Sequence, residues 1–304
     1  MKVLLTGASG FIGSHVARVL LDARCEVTAL IRPQSDLWRV RDIADRISLV
    51  TADIVDTAAL RTHLERLKPE TCIHCAWYAE PGQYLHSMEN IRSLTGSLAL
   101  LEELIRAGCR QIVMVGTCFE YQMHEGPLSE TDPARPETIY AATKLAANVV
   151  ARQVATTAGV RLAWARLFYQ YGPYEDERRV VPAVVRTLLR GETFRATAGE
   201  QVRDYLHVRD VASALWALAD RQVEGIVNIA SGNPVTMRQL IETIGTLMGR
   251  LELIQFGAAP YRSWEPMHIS GNNRRLREEA GWKPRYPTLS AGLQETLEWW
   301  KRRS

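Results

Sequence analysis

The 304-residue chain predicts an α/β fold, a doubly wound parallel sheet with a smaller, interwoven C-terminal lobe. Short apolar runs ending in glycine or acidic turns alternate with longer helix-period segments as far as Arg166, the rhythm of repeated strand, helix and strand. The first of these units carries a glycine-rich turn, Thr6-Gly-Ala-Ser-Gly-Phe-Ile-Gly13. Beyond Gly172-Pro173 the texture changes to charged loops interrupted by helical stretches.

Taken in order, Val3–Thr6 is a strand, and Gly13–Leu21 belongs to the helix that its glycine turn opens near Phe11. Glu26–Ile31 is the second strand, a third ends just before Asp53, and Thr57–Leu67 is helical. The apolar run Thr71–Ala76 is the fourth strand; a long helix near 87–107 and a strand at Gln111–Val115 follow. A helix at about 138–158 leads into the strand Arg161–Arg166. In the second half, helices stand near 208–220, 236–248 and 289–301, with loops at 174–181, 192–204 and 256–271. Residues 1–172 therefore form the sheet domain, with 204–235 returning to it, and 173–304 form mainly the lobe. The terminal Lys301-Arg-Arg303 reads as a solvated tail.

With 46% hydrophobic and 23% charged residues, the chain can bury one large core or a core plus a smaller lobe. A net charge of +3 is too mild for a nucleic-acid face and suits an anionic small molecule equally well. No apolar stretch approaches the ~20 residues of a membrane span, and the N-terminus lacks a secretory pattern, so no membrane partner is expected. The five cysteines, at 25, 72, 75, 109 and 118, are odd in number and point to reduced thiols in a cytoplasm. Cys72-Ile-His-Cys75 sits in an apolar run with no second ligand pair nearby. It reads as buried strand, with His74 a core histidine, and no metal is expected.

A strand, then Gly7, Gly10 and Gly13, and then a helix form the context in which such a pattern carries chemistry. The glycines allow a tight turn and close backbone approach to a cofactor, and the free N–H groups at Phe11, Ile12 and Gly13 seat a pyrophosphate. The second strand ends in Ile31-Arg-Pro-Gln-Ser35, without the acidic residue that usually meets a ribose 2′-hydroxyl. Arg32, with Ser35 as a second contact, suits a 2′-phosphate. NADP(H) is therefore the expected cofactor, with NAD(H) the alternative. Asp53 and Ile54 would lie beside the adenine, and Ala76 would line the cofactor channel. Downstream, Tyr140 and Lys144 share one helix face, one turn apart. After a dinucleotide turn, this pair points to hydride-transfer chemistry.

With Thr6–Gly13, Asp53, Ala76, Thr117, Tyr140 and Lys144 in place, the chain resembles the extended short-chain dehydrogenase/reductase family, the NAD(P)-dependent epimerases, dehydratases and ketoreductases of nucleotide sugars. The segments Arg166–Pro173, Arg203–Asp210 and Gly281–Pro284 extend the likeness nearly end to end. The resemblance implies that Tyr140 donates a proton to a carbonyl oxygen and that Thr117 orients that oxygen. Lys144 would make the phenol, ordinarily near pKa ~10, competent. Arg203 and Arg262 match the family's diphosphate-binding arginines, and a nucleotide sugar is the implied substrate. A homodimer through the helices near 87–107 and 138–158 is also implied.

Departures from the family's pattern narrow the reaction. Dehydratases carry acidic residues in the two positions after the catalytic Thr, and here Cys118 and Phe119 stand there. Epimerase-reductases carry a Cys and a His where this chain has Phe119 and Arg179. Ser93 and Tyr169 replace two customary asparagines, so the sugar pocket differs. Trp77, Tyr78 and Tyr84, after the fourth strand, are placed to stack on a sugar or cover the site. Gly116-Thr-Cys-Phe-Glu-Tyr121 resembles reductases of 4-keto-6-deoxy sugar nucleotides. The expected function is NADPH-dependent reduction of such a keto sugar. A nucleotide-sugar 4-epimerase retaining NAD is the first alternative, and a non-catalytic NADP-binding redox sensor the second.

Overall fold

The computed structural model describes residues 1–261 and 266–303, so Arg262 lies outside the described residues. The first half contains β1 (Lys2–Thr6), α1 (Phe11–Asp22), β2 (Glu26–Ile31), β3 (Ser48–Thr51), α2 (Thr57–Leu67), β4 (Thr71–His74), α3 (Glu89–Arg106), β5 (Gln111–Thr117), β6 (Pro127–Leu128) and α4 (Ile139–Ala158). The second contains β7 (Arg161–Leu167), β8 (Tyr169–Tyr171), α5 (Val180–Leu189), β9 (Phe194–Arg195), β10 (Val202–Arg203), β11 (Tyr205–His207), α6 (Val208–Asp220) and β12 (Gly225–Ile229). It ends with β13 (Val235–Thr236), α7 (Met237–Met248), β14 (Ile254–Gln255), β15 (His268–Gly271), α8 (Arg274–Glu278) and α9 (Leu289–Lys301).

Seven parallel strands form the main sheet in the order β12-β7-β5-β4-β1-β2-β3. Successive crossovers run from β1 outward to β3 and then return to the other side of β1, so the topology reverses between β1 and β4, where such sheets open a crevice. Both faces are covered, as a parallel sheet requires. α1 and α6 pack on one face around Val16, Leu20, Val211 and Leu215; α2, α3 and α4 cover the other around Leu60, Leu100, Ala151 and Trp164. Alanines at 147, 151 and 155, one per turn, let α4 lie close to the sheet. α5, α7 and α9 enclose a third core, with Val184, Leu240 and Leu293 at its centre.

Register carries the site. Thr6 pairs with His74 and His74 with Met114, so Thr117 projects three residues beyond that row. His74 is a satisfied core histidine: it bonds Thr6 Oγ at 2.7 Å and Ser97 Oγ at 2.8 Å, and burial pushes its pKa down to about 3.

Several segments differ from the sequence expectation. α5 was absent from it because Pro182 reads as a breaker, yet in a first helical turn the missing N–H costs nothing. The spans 192–204 and 256–271 contain β9, β10 and β15, strands of two to four residues that are too short for periodicity to reveal. The terminal tail is also more than a solvated end, because the Arg303 guanidinium lies 5.1 Å from the Trp38 ring and 4.9 Å from the Trp299 ring. Among the described residues, no helix is long and apolar enough to cross a membrane.

Candidate active site

β5 ends in a short turn, residues 118–120, that Thr117 caps. Its Oγ accepts from Phe119 N at 3.3 Å, while its own N–H donates to the Glu120 carboxylate at 2.8 Å. α4 is capped by Thr138, whose Oγ accepts from Ala141 N at 3.1 Å, and Tyr140 N donates to Leu85 O at 3.1 Å. Tyr140, Lys144 and Asn148 then follow at four-residue spacing on α4. The fold brings Thr117, Tyr140 and Lys144 together, with the Thr117 side chain near enough to the phenol to influence its titration. Burial raises the Tyr140 pKa, with Tyr84 adding to the rise and Thr117 opposing it, so the phenol is held protonated.

Lys144 is almost fully buried; its Nζ donates to Val115 O at 2.6 Å and stands 3.7 Å from the Trp77 ring centroid. Burial pushes its pKa down to about 7, with Glu120 and Cys75 opposing. Both charge states are therefore populated near neutrality. Trp77 faces this ammonium and donates to Asn90 Oδ1 at 2.8 Å. Asn90, fully buried, also donates to Tyr84 O and Ser87 O, so one side chain orders much of the loop after β4. Tyr78 N donates to Ser93 Oγ at 3.1 Å.

Tyr84 meets the Tyr140 ring edge-on at 4.9 Å, and Arg179 lies 5.3 Å from the Tyr84 ring. An ion pair between Glu80 and Arg178, 2.7 Å long, joins the same two loops. Cys118 is buried and its thiol is pushed up to about 12 by burial; Phe119 packs against Tyr169, the centroids 6.4 Å apart. Neither position presents a group that titrates near neutrality.

The glycine turn forms a close cradle. A Cβ on Gly13 would stand 2.1 Å from Gly7 O, so no side chain fits there. Gly10 serves the tight turn that the sequence predicts. Its N–H donates to Gly7 O at 2.9 Å, so Gly10 closes the turn and caps α1. The donors that remain are the N–H groups of Phe11, Ile12 and Gly13, which open α1 without intrahelical acceptors at the crevice between β1 and β4. Ala76 N donates to Thr6 Oγ at 3.2 Å, Asp53 pairs with Arg92 at 2.6 Å, and Ile54 packs against Gly96 of α3. Arg32 is exposed, and Ser35 Oγ accepts its N–H at 3.1 Å. These residues fit a dinucleotide. Arg39, not singled out from sequence, reaches from the same loop to Ser9 O at 3.4 Å and Tyr174 O at 3.0 Å.

At the substrate end, Arg203 is buried, donating to Val202 O at 2.8 Å and Pro266 O at 2.6 Å, and its guanidinium lies 5.4 Å from the Tyr169 ring. Asp204 turns to Ser231, Gly232 and Gly271. Asn148 also went unremarked in the sequence. Its signal was there, a polar residue one turn beyond Lys144 on an alanine-rich face.

Comparison with known proteins follows the same lines. The family described as "NAD dependent epimerase/dehydratase family" matches residues 3–230. A dTDP-glucose 4,6-dehydratase of Mycolicibacterium smegmatis is 29% identical, over 99% of this chain and 93% of its own. A UDP-glucose 4-epimerase of Halalkalibacterium halodurans is 26% identical, over 99% and 96%. The crystal structure of a Thermotoga maritima UDP-glucose 4-epimerase with UDP-glucose superposes with a TM-score of 0.88 at 26% identity, covering 100% of this chain and 99% of that one. A Streptomyces venezuelae dTDP-glucose 4,6-dehydratase with NAD bound gives 0.88 at 26% identity, over 99% and 97%.

Proposed function

The chain belongs to the NAD dependent epimerase/dehydratase family, and from that premise we propose that it is an NADPH-dependent reductase of a nucleotide-activated 4-keto-6-deoxyhexose. The observation that carries this reading is a Thr117, Tyr140 and Lys144 constellation in which positions 118 and 119 offer no acid or base for dehydration. When bound, the dinucleotide supplies hydride to the keto carbon. Tyr140, held protonated by burial, donates its O–H proton to the carbonyl oxygen, and Thr117 orients that oxygen by hydrogen bonding. The Lys144 ammonium offsets the charge of the resulting phenolate. Dehydration would need an acid and a base beside the sugar, and a buried, protonated Cys118 with an aromatic Phe119 supplies neither. Arg32 and Ser35 would hold the 2′-phosphate of NADP(H). Asp53, Ile54 and Ala76 would flank the rest of the cofactor, and Arg203 with Arg262 would meet the diphosphate.

The second reading is a 4-epimerase that retains NAD and uses the same three residues. Curated relatives named UDP-glucose 4-epimerase favour it. The exposed Val149, Val150 and Val154 of α4, together with the exposed Met88 and Ile91 at the start of α3, favour a homodimer through these helices.

A thermal-shift screen of NADP(H) and NAD(H) crossed with UDP, GDP, CDP and dTDP tests the reading. Stabilisation by NADP(H) over NAD(H), increased further by one nucleoside diphosphate, is the expected result. Indifference to every dinucleotide would end it.

A further inference from the structure

One charged group at the centre of the site is left unused by this chemistry. The Glu120 carboxylate is fully buried, and four donors converge on it. Oε1 accepts from Thr117 N at 2.8 Å and Trp164 Nε1 at 3.0 Å; Oε2 accepts from Arg166 Nε at 2.9 Å and Asn148 Nδ2 at 3.2 Å. These donors come from the end of β5, from β7 and from α4. Asn148 stands one turn beyond Lys144, and Lys144 one turn beyond Tyr140, so the carboxylate is tied to the catalytic face of α4 as well as to the catalytic threonine. Gly116 makes the arrangement possible, because a Cβ there would stand 2.2 Å from Trp164 Nε1 and 2.6 Å from Glu120 Oε1. Burying a carboxylate is costly unless it is paired and hydrogen-bonded, and Arg166 with three neutral donors meets that requirement.

We propose that Glu120 is a positioning residue of the reaction, fixing Thr117 against Tyr140 and supplying the negative charge that keeps Lys144 an ammonium. This rests on reading Thr117, Tyr140 and Lys144 as the catalytic groups. Lys144 is faced by His74 and Cys75 from β4 and the turn after it, by Val115 O from β5, by the Trp77 indole, by Glu120, and by Tyr140 on its own helix. Burial keeps His74, the Cys75 thiol and the Tyr140 phenol neutral, which leaves Glu120 as the anion among the described groups. Glu120 itself pairs with Arg166 of β7 at 2.9 Å and is tied to α4 through Asn148, one turn beyond Lys144. Without its charge, a buried lysine sheds its proton at lower pH and can no longer offset a phenolate.

The direct test is an NMR titration of lysine Cε in the apo protein, which has five lysines, the Lys144 signal being assigned with Lys144→Met. In the wild type it titrates near 7, and Glu120→Gln lowers the midpoint by about one pH unit, roughly tenfold in acidity. Trp164→Phe removes a neutral donor only and leaves the midpoint in place. Glu120→Gln strands Arg166 in the interior, so Glu120→Gln/Arg166→Met is measured beside it; losing both charges is better tolerated than losing one, and a smaller fall is expected because the opposing cation goes too. An unmoved midpoint in folded Glu120→Gln overturns the proposal. The titration needs no substrate. A shifted midpoint with no keto-sugar reduction would remove the reductase reading and leave Glu120 in its role; an unshifted midpoint with Tyr140-dependent reduction would do the reverse.

Discussion

Thr117, Tyr140 and Lys144 stand on a seven-residue strand and a twenty-residue helix, whereas the groups facing them across the cleft stand on the loops after β4 and β8. Behind the catalytic groups, Glu120, Asn148, Trp164 and Arg166 form a buried network in which one carboxylate takes four donors. Across the cleft, the loops are joined by a largely exposed ion pair, Glu80 with Arg178, and by Arg179 against Tyr84. Exposed pairs contribute only ~0–1 kcal/mol, and a buried charge left without its partner costs several times more. The difference teaches where each property resides. On the proposed reading, proton transfer belongs to regular elements that tolerate little change, and sugar selection to loop contacts that can be exchanged without disturbing it.

Substitution on the two sides should therefore separate. Tyr140→Phe is expected to lower turnover by about 10²–10⁴ while leaving dinucleotide stabilisation in thermal shift intact. A comparable loss of turnover from a loop residue would break the division.

The frame behind the site is acid-sensitive in a defined direction. Burial lowers the pKa of His15 to about 4 and of His74 and His207 to about 3. The unfolded chain takes up these protons below about 6.5, and the folded one resists them until about 3–4. Their contribution is complete above the unfolded value and is lost as pH falls toward the folded one. Urea unfolding should show about 2 kcal/mol less stability per histidine at pH 5 than at pH 7, with a shallower slope in a folded His74 variant.

Smaller effects belong to the cofactor and substrate rims. Arg32→Ala should reduce the preference for NADPH over NADH by about tenfold, read as the ratio of kcat/KM values, with kcat nearly unchanged. Arg178→Ala breaks the pair with Glu80 and should raise the KM for the sugar nucleotide by no more than about fivefold. A fall in kcat as large as that of Tyr140→Phe would show that the loop clasp belongs to the chemistry.

Local signals were legible in the sequence, and convergent ones were not. The bounds of β2 and α2 coincide with the expectation because each is a self-contained apolar pattern between turn residues. The glycine turn and the Tyr140 to Lys144 spacing are local too, so the strand–turn–helix cradle and the α4 face that carries both residues were readable. Within that turn the division of labour was not readable, because the bond from Gly10 N to Gly7 O exists only once the turn has closed. What Lys144 touches was hidden as well, since Val115 O and the Trp77 ring arrive from other strands and loops. The role of Glu120 is obscured for the same reason: its donors at 117, 148, 164 and 166 meet only after α4 packs across β5 and β7. Trp77, expected to stack on a sugar or cover the site, stands over the Lys144 ammonium.

The most direct measurement is to give purified protein a nucleoside-diphospho-4-keto-6-deoxyhexose with NADPH carrying deuterium at nicotinamide C4, and to follow both NADPH absorbance and the label. Stoichiometric loss of NADPH, with deuterium on the former keto carbon and abolition by Tyr140→Phe, is the predicted result. Interconversion of 4-epimeric nucleotide sugars on tightly bound NAD, with no NADPH consumed and no label transferred, would contradict it.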